Sequence, residues 1–144
     1  MSKEEQAKVI DSYRKSFIKY KDTPEAVQWS SDGQKWRFDK IIHLLNEVSG
    51  NKLQNHSIVE IGCGLGHLYP LLKNMYKDII YTGIDIVPEF IEHAKLNFPD
   101  ASFECRDVIE SPLNQKYDFV VISGLFNAPL RQDAHDFMAS LLRS

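Results

Sequence analysis

The stretch Ser57-Ile58-Val59-Glu60-Ile61-Gly62-Cys63-Gly64-Leu65-Gly66 decides the fold. Its first five residues form a short apolar run rich in β-branched side chains, which predicts a buried strand. Glycine then recurs at every second position, and GHLYPLLKNMY (66–76) continues with helical spacing. A strand that turns through glycines into a helix is the opening half of a βαβ unit. Glycines at that turn permit positive φ and let a ligand approach without a Cβ in the way. The unpaired N–H groups at the start of the next helix favour an anionic or carboxylate group there.

The same texture continues downstream. IIYTGI (79–84), ASFEC (101–105) and YDFVVISG (117–124) read as further strands. PEFIEHAKLNF (88–98) and DAHDFMASLLR (133–143) read as helices, with Pro88 placed at a first helical position. Pro70 is tolerable only near the first turn of its helix. Strands separated by single helices imply a parallel sheet covered on both faces. Upstream, Ala7, Ile10, Tyr13 (or Arg14), Phe17 and Tyr20 make an amphipathic stripe over Lys3–Tyr20. A break follows at KDTPEAVQWSSDG, and a second helix is expected from about Gln34 to Val48. Trp36, Ile41, Leu44, Leu45 and Val48 would lie on one side of it. The shift in texture near residue 52 divides the chain into a helical extension (1–52) and an α/β unit (53–144).

Composition sets the outer bounds. With 144 residues, 43% hydrophobic and 26% charged, the chain is ordinary for one globular domain. It holds no apolar run near the ~20 residues that span a bilayer. Its charged N-terminus lacks the apolar core of a signal peptide, so a cytoplasmic address is expected. Cys63 and Cys105 are too few for a disulfide framework. The net charge of −3 divides into +2 over residues 1–40 and −5 over the rest. No dense Lys/Arg cluster points to nucleic acid. The five histidines show no H-x-x-x-H or H-E-x-x-H pairing, so no metal is expected.

Two cofactor classes use a glycine turn of this kind, and spacing separates them. The dinucleotide fingerprint G-x-G-x-x-G requires a third glycine where His67 stands, which argues against a nicotinamide cofactor. Here an acidic residue, Glu60, precedes Gly62, Gly64 and Gly66. Asp85, at the end of YTGID, could accept from both hydroxyls of a ribose. Asp107, in Arg106-Asp107-Val108 after the third strand, could accept from the exocyclic amino group of adenine. Ser123 opens a loop at the carboxyl edge of the sheet, where ligands of open α/β folds bind.

Taken together and in order, EIGCGLG, GID, ECRDV and YDFVVISG resemble the first four motifs of class I S-adenosylmethionine-dependent methyltransferases. The resemblance covers about residues 57–127. It implies a Rossmann-like parallel sheet with strand order 3-2-1-4. It implies S-adenosyl-L-methionine as cofactor and S-adenosyl-L-homocysteine as product. Glu60, Gly62, Cys63, Gly64 and Gly66 would hold the methionyl end, with Ser123 at the cleft. Asp85 would hold the ribose hydroxyls, Ile86 would pack on the adenine, and Asp107 with the Val108 backbone would read its edge. Trp29, Ser30, Gln34, Arg37, Phe38 and SGLFN (123–127) are similar to a group of bacterial methyltransferases.

Other readings of these residues are structural. Cys63 reads as a small neutral filler, Cys105 as a core strand residue, and Asp118 as a group that orients backbone. His67 reads as an exposed first-turn residue. Tyr13, Tyr20 and Trp29 would meet the substrate or the sulfonium if the extension folds over the cleft. No general base is assured. The acceptor is expected to be a small molecule, because SGLF replaces the Asp/Asn-Pro-Pro-aromatic run used on nucleobase amino groups. The family implies a seven-stranded sheet, of which four strands can be placed. A C-terminally truncated unit is therefore expected, with a homodimer or other partner covering the fourth-strand edge. The competing function is a non-catalytic cofactor-binding module that works through a partner.

Overall fold

The computed structural model describes residues 2–123. The expected helix at 133–143, and the part of SGLFN beyond Ser123, lie outside them.

Helix α1 spans Lys3–Tyr20 and begins with a reciprocal capping box. The Glu5 N–H donates to Ser2 Oγ (3.2 Å), and the Ser2 N–H donates to Glu5 Oε2 (2.8 Å). A 3₁₀ turn at Pro24–Val27 occupies what the sequence reads only as a break. Helix α2 spans Ser31–Ser49, three residues earlier than expected, because Ser30 Oγ accepts from the Gly33 N–H at 3.0 Å. A serine cap thus overrides the helix-breaking tendency of Gly33. The buried face of α2 matches the one expected only in part: Leu45 is buried and Ile41 packs against the core, Phe38 is buried with them, and Trp36, Leu44 and Val48 are exposed.

Strands β1 (Ser57–Ile61), β2 (Ile80–Asp85), β3 (Ser102–Cys105) and β4 (Phe119–Ile122) alternate with α3 (Leu68–Met75) and α4 (Pro88–Asn97). All pairings are parallel and the order is β3-β2-β1-β4, as the family resemblance implies. The register pairs Glu60 with Gly83 and Gly83 with Phe103, so these residues share one face. That face buries Ile58, Tyr81, Phe103 and Val121 with Leu68, Leu72 and Ile91. The opposite face buries Val59, Ile61 and Ile84 with Val108. Strand β1 is therefore covered on both sides, which explains the adjacent apolar residues Ile58 and Val59 in its sequence.

The flanking strands are less protected. On β3 only Phe103 is buried, and Cys105 is exposed rather than in the core. Strand β4 is shorter than expected because Asp118 stands outside it and caps its start. Asp118 Oδ2 accepts from the Ser57 N–H at 2.8 Å, and the Asp118 N–H donates to Ser57 Oγ at 2.9 Å. Val120 on β4 is 55% exposed among the described residues. No helix of the described residues is long and apolar enough to cross a membrane.

Candidate functional site

The carboxyl ends of β1 and β2 and the loop after β3 open into one cleft, which the N-terminal segment borders from the other side. The glycine turn forms its floor. Gly62 and Cys63 donate their N–H groups to the Ile84 carbonyl at 2.8 and 3.0 Å, tying the turn to the end of β2. Gly64 and Gly66 have φ of +56° and +80°. A Cβ on Gly64 would meet Val27 Cγ1 at 2.8 Å, and one on Gly66 would meet the Phe103 ring at 2.9 Å. Both positions therefore exclude a side chain by conformation and by space.

Three carboxylates converge here. Glu60 is buried and accepts from the Tyr81 hydroxyl at 2.5 Å. Burial pushes its carboxyl up to about 8; the Tyr81 hydrogen bond opposes the rise and the Asp85 charge adds to it. Asp85 is clamped by the two loops it joins. Its Oδ2 accepts from the Gly64 N–H at 2.8 Å and its Oδ1 from the Val87 N–H at 3.0 Å. Desolvation raises its carboxyl above the ordinary range, against the pull of the Val87, Gly64 and Ile86 N–H groups. Asp107 Oδ1 accepts from the Ile109 N–H at 2.9 Å, and its Oδ2 accepts from Gln6 Nε2 at 2.6 Å.

Nine of the ten residues expected from the sequence border this cleft: Glu60, Gly62, Cys63, Gly64, Asp85, Ile86, Asp107, Val108 and Ser123. Gly66 does not. It lies behind the turn against Phe103, where it sets the path of the chain into α3. Burial pushes the Cys63 thiol well up, which keeps it a neutral filler. The Ser123 carbonyl accepts from Arg37 Nη1 at 3.2 Å.

The N-terminal segment supplies residues that the motifs do not reach. Gln6, Val9 and Tyr13 of α1, with Val27, Trp29 and Gln34, line the cleft. Tyr13 is beside Asp85 and packs edge-on against Phe90. Trp29 stacks under the Arg37 guanidinium, and its Nε1 is buried with no hydrogen-bond partner among the described residues. His67 is not an exposed residue. Its side chain is 20% exposed, its Nε2 lies 2.6 Å from Asp22 Oδ1, and its Nδ1 faces Gln34 Nε2 at 3.4 Å. The two histidines His67 and His93, by hydrogen bond and charge, hold the Asp22 carboxyl below its usual range despite partial burial. Of the three α1 residues at the cleft, the amphipathic stripe read from the sequence holds Tyr13 but neither Gln6 nor Val9. Nothing in the sequence paired Asp22 with His67.

The donor set is acceptor-rich. Three carboxyl groups border the cleft beside Arg106, and among the described residues no cation pairs with the buried Glu60 carboxyl. Such a site suits a ligand with a positive charge, ribose hydroxyls and an amino group. The lone Trp29 N–H suits an acceptor such as a carboxylate.

Comparison with known proteins agrees with this chemistry. A family model described as a methyltransferase domain matches residues 58–144. The malonyl-[acyl-carrier protein] O-methyltransferase of Acetivibrio thermocellus is 37% identical over 95 residues, covering 65% of this chain and 32% of that protein. The Anoxybacillus flavithermus protein of the same name is 39% identical over 72 residues, covering 49% of this chain and 28% of that protein. The chain thus spans about a third of the length of these relatives, or less. Among solved structures, magnesium protoporphyrin IX methyltransferase from Synechocystis PCC 6803 superposes with a TM-score of 0.67. It is 16% identical, and the match covers 93% of this chain and 71% of that one; at this identity the likeness is one of fold.

Proposed function

The chain belongs to the methyltransferase-domain family, and on that premise we propose that it binds S-adenosyl-L-methionine and passes its methyl group to a small-molecule acceptor. The observation that carries this reading is the convergence of Glu60, Asp85 and Asp107 on one cleft beside the glycine turn. In this reading the turn and Glu60 hold the methionyl end, Asp85 the ribose hydroxyls, and Asp107 with the Val108 backbone the adenine edge. Ile86 supplies an apolar contact to the base. The Trp29 N–H is suited to the carboxylate of the amino-acid end.

The cofactor supplies the methyl group on a sulfonium, a leaving group already in place. What remains for the protein is to hold the acceptor in line and keep water away. An acceptor that is already an anion needs no base. For an alcohol or amine, His67 is placed at the cleft to take the proton, with Asp22 holding its Nε2. The exposure of Val120 on β4 supports a further segment, a second copy or a partner covering that edge. We place the protein in the cytoplasm.

Methyl-labelled S-adenosylmethionine, incubated with the protein and a panel of small acids, alcohols and amines, tests the proposal. Label should pass to one acceptor class, and Asp85→Ala should abolish the transfer at low donor concentration. Cofactor binding without transfer across the panel would favour the non-catalytic module.

A further inference from the structure

Helix α1 has no buried residue, yet it is fixed to the α/β unit along its length. Gln6, Val9 and Tyr13, at steps of three and four, all face the cleft. Opposite them stand Asp107, Ile86 and Asp85. Outside this stripe the helix is pinned by Arg14, whose Nε donates to Glu89 Oε1 at 2.6 Å, and by Phe17, edge-on to Phe90.

Gln6 makes the most specific of these contacts. A carboxylate can only accept, so the atom of Gln6 that lies 2.6 Å from Asp107 Oδ2 is its amide nitrogen. The Ile109 N–H occupies Oδ1 at 2.9 Å, so the carboxylate is held from both sides. Each of its oxygens keeps one further lone pair. The remaining lone pairs of the Asp107 carboxylate match a nitrogen that carries two hydrogens and repel a carbonyl oxygen in the same place.

We propose that α1 forms a third wall of the adenosine subsite and that Gln6, by holding Asp107, selects a 6-amino purine over a 6-oxo purine. The inference rests on the cofactor reading given above, and adds to it a residue 101 positions from Asp107 in sequence. Val9 and Ile86 both add apolar lining to the cleft, and Tyr13 lies beside Asp85. Gln6 is thus a positioning and specificity residue.

The test is calorimetry of the full chain with S-adenosylhomocysteine and S-inosylhomocysteine. Gln6→Met keeps the length and helical preference of the side chain and removes its amide; Gln6→Ala removes both. Lys8→Ala, on the exposed side of α1, is the control. Either Gln6 variant should lose about ten-fold in affinity for the adenosyl compound, about the worth of one charge-assisted hydrogen bond. Affinity for the inosyl compound should hardly change, so the preference between them collapses. An equal loss for both compounds would mean that Gln6 only docks the helix, and would overturn the proposal. Unchanged affinity would do the same. Tighter binding by the variants would show that Gln6 competes with the base for Asp107, and would overturn the proposal as well. A wild-type chain that binds neither compound would remove the cofactor reading itself, and this inference with it.

Discussion

The two sides of the cleft are built by different physics. The side formed by β1, β2 and the glycine turn belongs to the core. Four of the five residues of β1 are buried, and a Cβ on Gly66 has nowhere to go. The side formed by α1 and the following segment is attached more lightly: only Ala26 of residues 3–27 is buried, and Ile10, Tyr13 and Phe17 pack half-buried against Phe90 and its neighbours. Its helix buries no residue, and it is held by an ion pair, two carboxylate hydrogen bonds and a few aromatic edges. A rigid floor and a lightly pinned wall suit a site that must hold its ligand and also release it. The difference predicts that substitutions in the floor cost stability, whereas substitutions in the wall change ligand affinity with little cost to the fold.

The most severe way to break that contrast is Gly66→Ala. It forces a Cβ to within 2.9 Å of the Phe103 ring at a φ of +80°. Overpacking and left-handed strain together should cost about 2–4 kcal/mol, read as a lower urea midpoint. Asp85→Ala comes next and crosses between the classes. Loss of its charged hydrogen bonds should weaken S-adenosylhomocysteine binding by about 1–3 kcal/mol in a titration. It should also loosen the turn, because the Gly64 and Val87 N–H groups lose their acceptor.

The buried Glu60 carboxyl sharpens the comparison through pH. Its folded pKa of about 8 lies above the ordinary 4.5, so the folded state holds a proton that the unfolded state releases. The stability this supports is complete below pH 4.5 and is lost as pH rises through about 8. Urea midpoints measured from pH 5 to 9 should therefore fall with pH, and Glu60→Gln should flatten that fall. A cationic ligand in the cleft should drive the proton off. Calorimetry at pH 7 in two buffers of different ionisation enthalpy should then show proton release on binding. The smallest effect belongs to the wall. Arg14→Ala removes a half-exposed ion pair and should cost about 0.2–1 kcal/mol in the same urea experiment. A larger loss would mean that α1 is part of the core after all.

The same contrast explains what the sequence made legible. The floor is local: SIVEI, the glycines and the acidic strand ends lie in short windows whose periodicity and turn chemistry specify one backbone path. The strands and helices followed from those windows, while the strand order and the cofactor residues, nine of which border the cleft, came from the family resemblance that the windows carry. The wall depends on pairings across long separations. Gln6 with Asp107, and Asp22 with His67, join segments whose approach no local pattern encodes. The buried face of α2 was misread in part for a related reason. Leu45 and Ile41 of the expected stripe do meet the sheet-side core, but Phe38 joins them there in place of Trp36, Leu44 and Val48, which are exposed. Cys105 was placed in the core on the strength of its type, whereas the edge position of β3 leaves it exposed.

The central claim is that this cleft is an adenosyl-cofactor site and not a dinucleotide site, and titration calorimetry of the chain tests it most directly. S-adenosylmethionine and S-adenosylhomocysteine should each bind one per chain, Asp85→Ala should weaken both, and NAD should give no heat of binding. Tight binding of NAD with no response to either adenosyl compound would contradict the account.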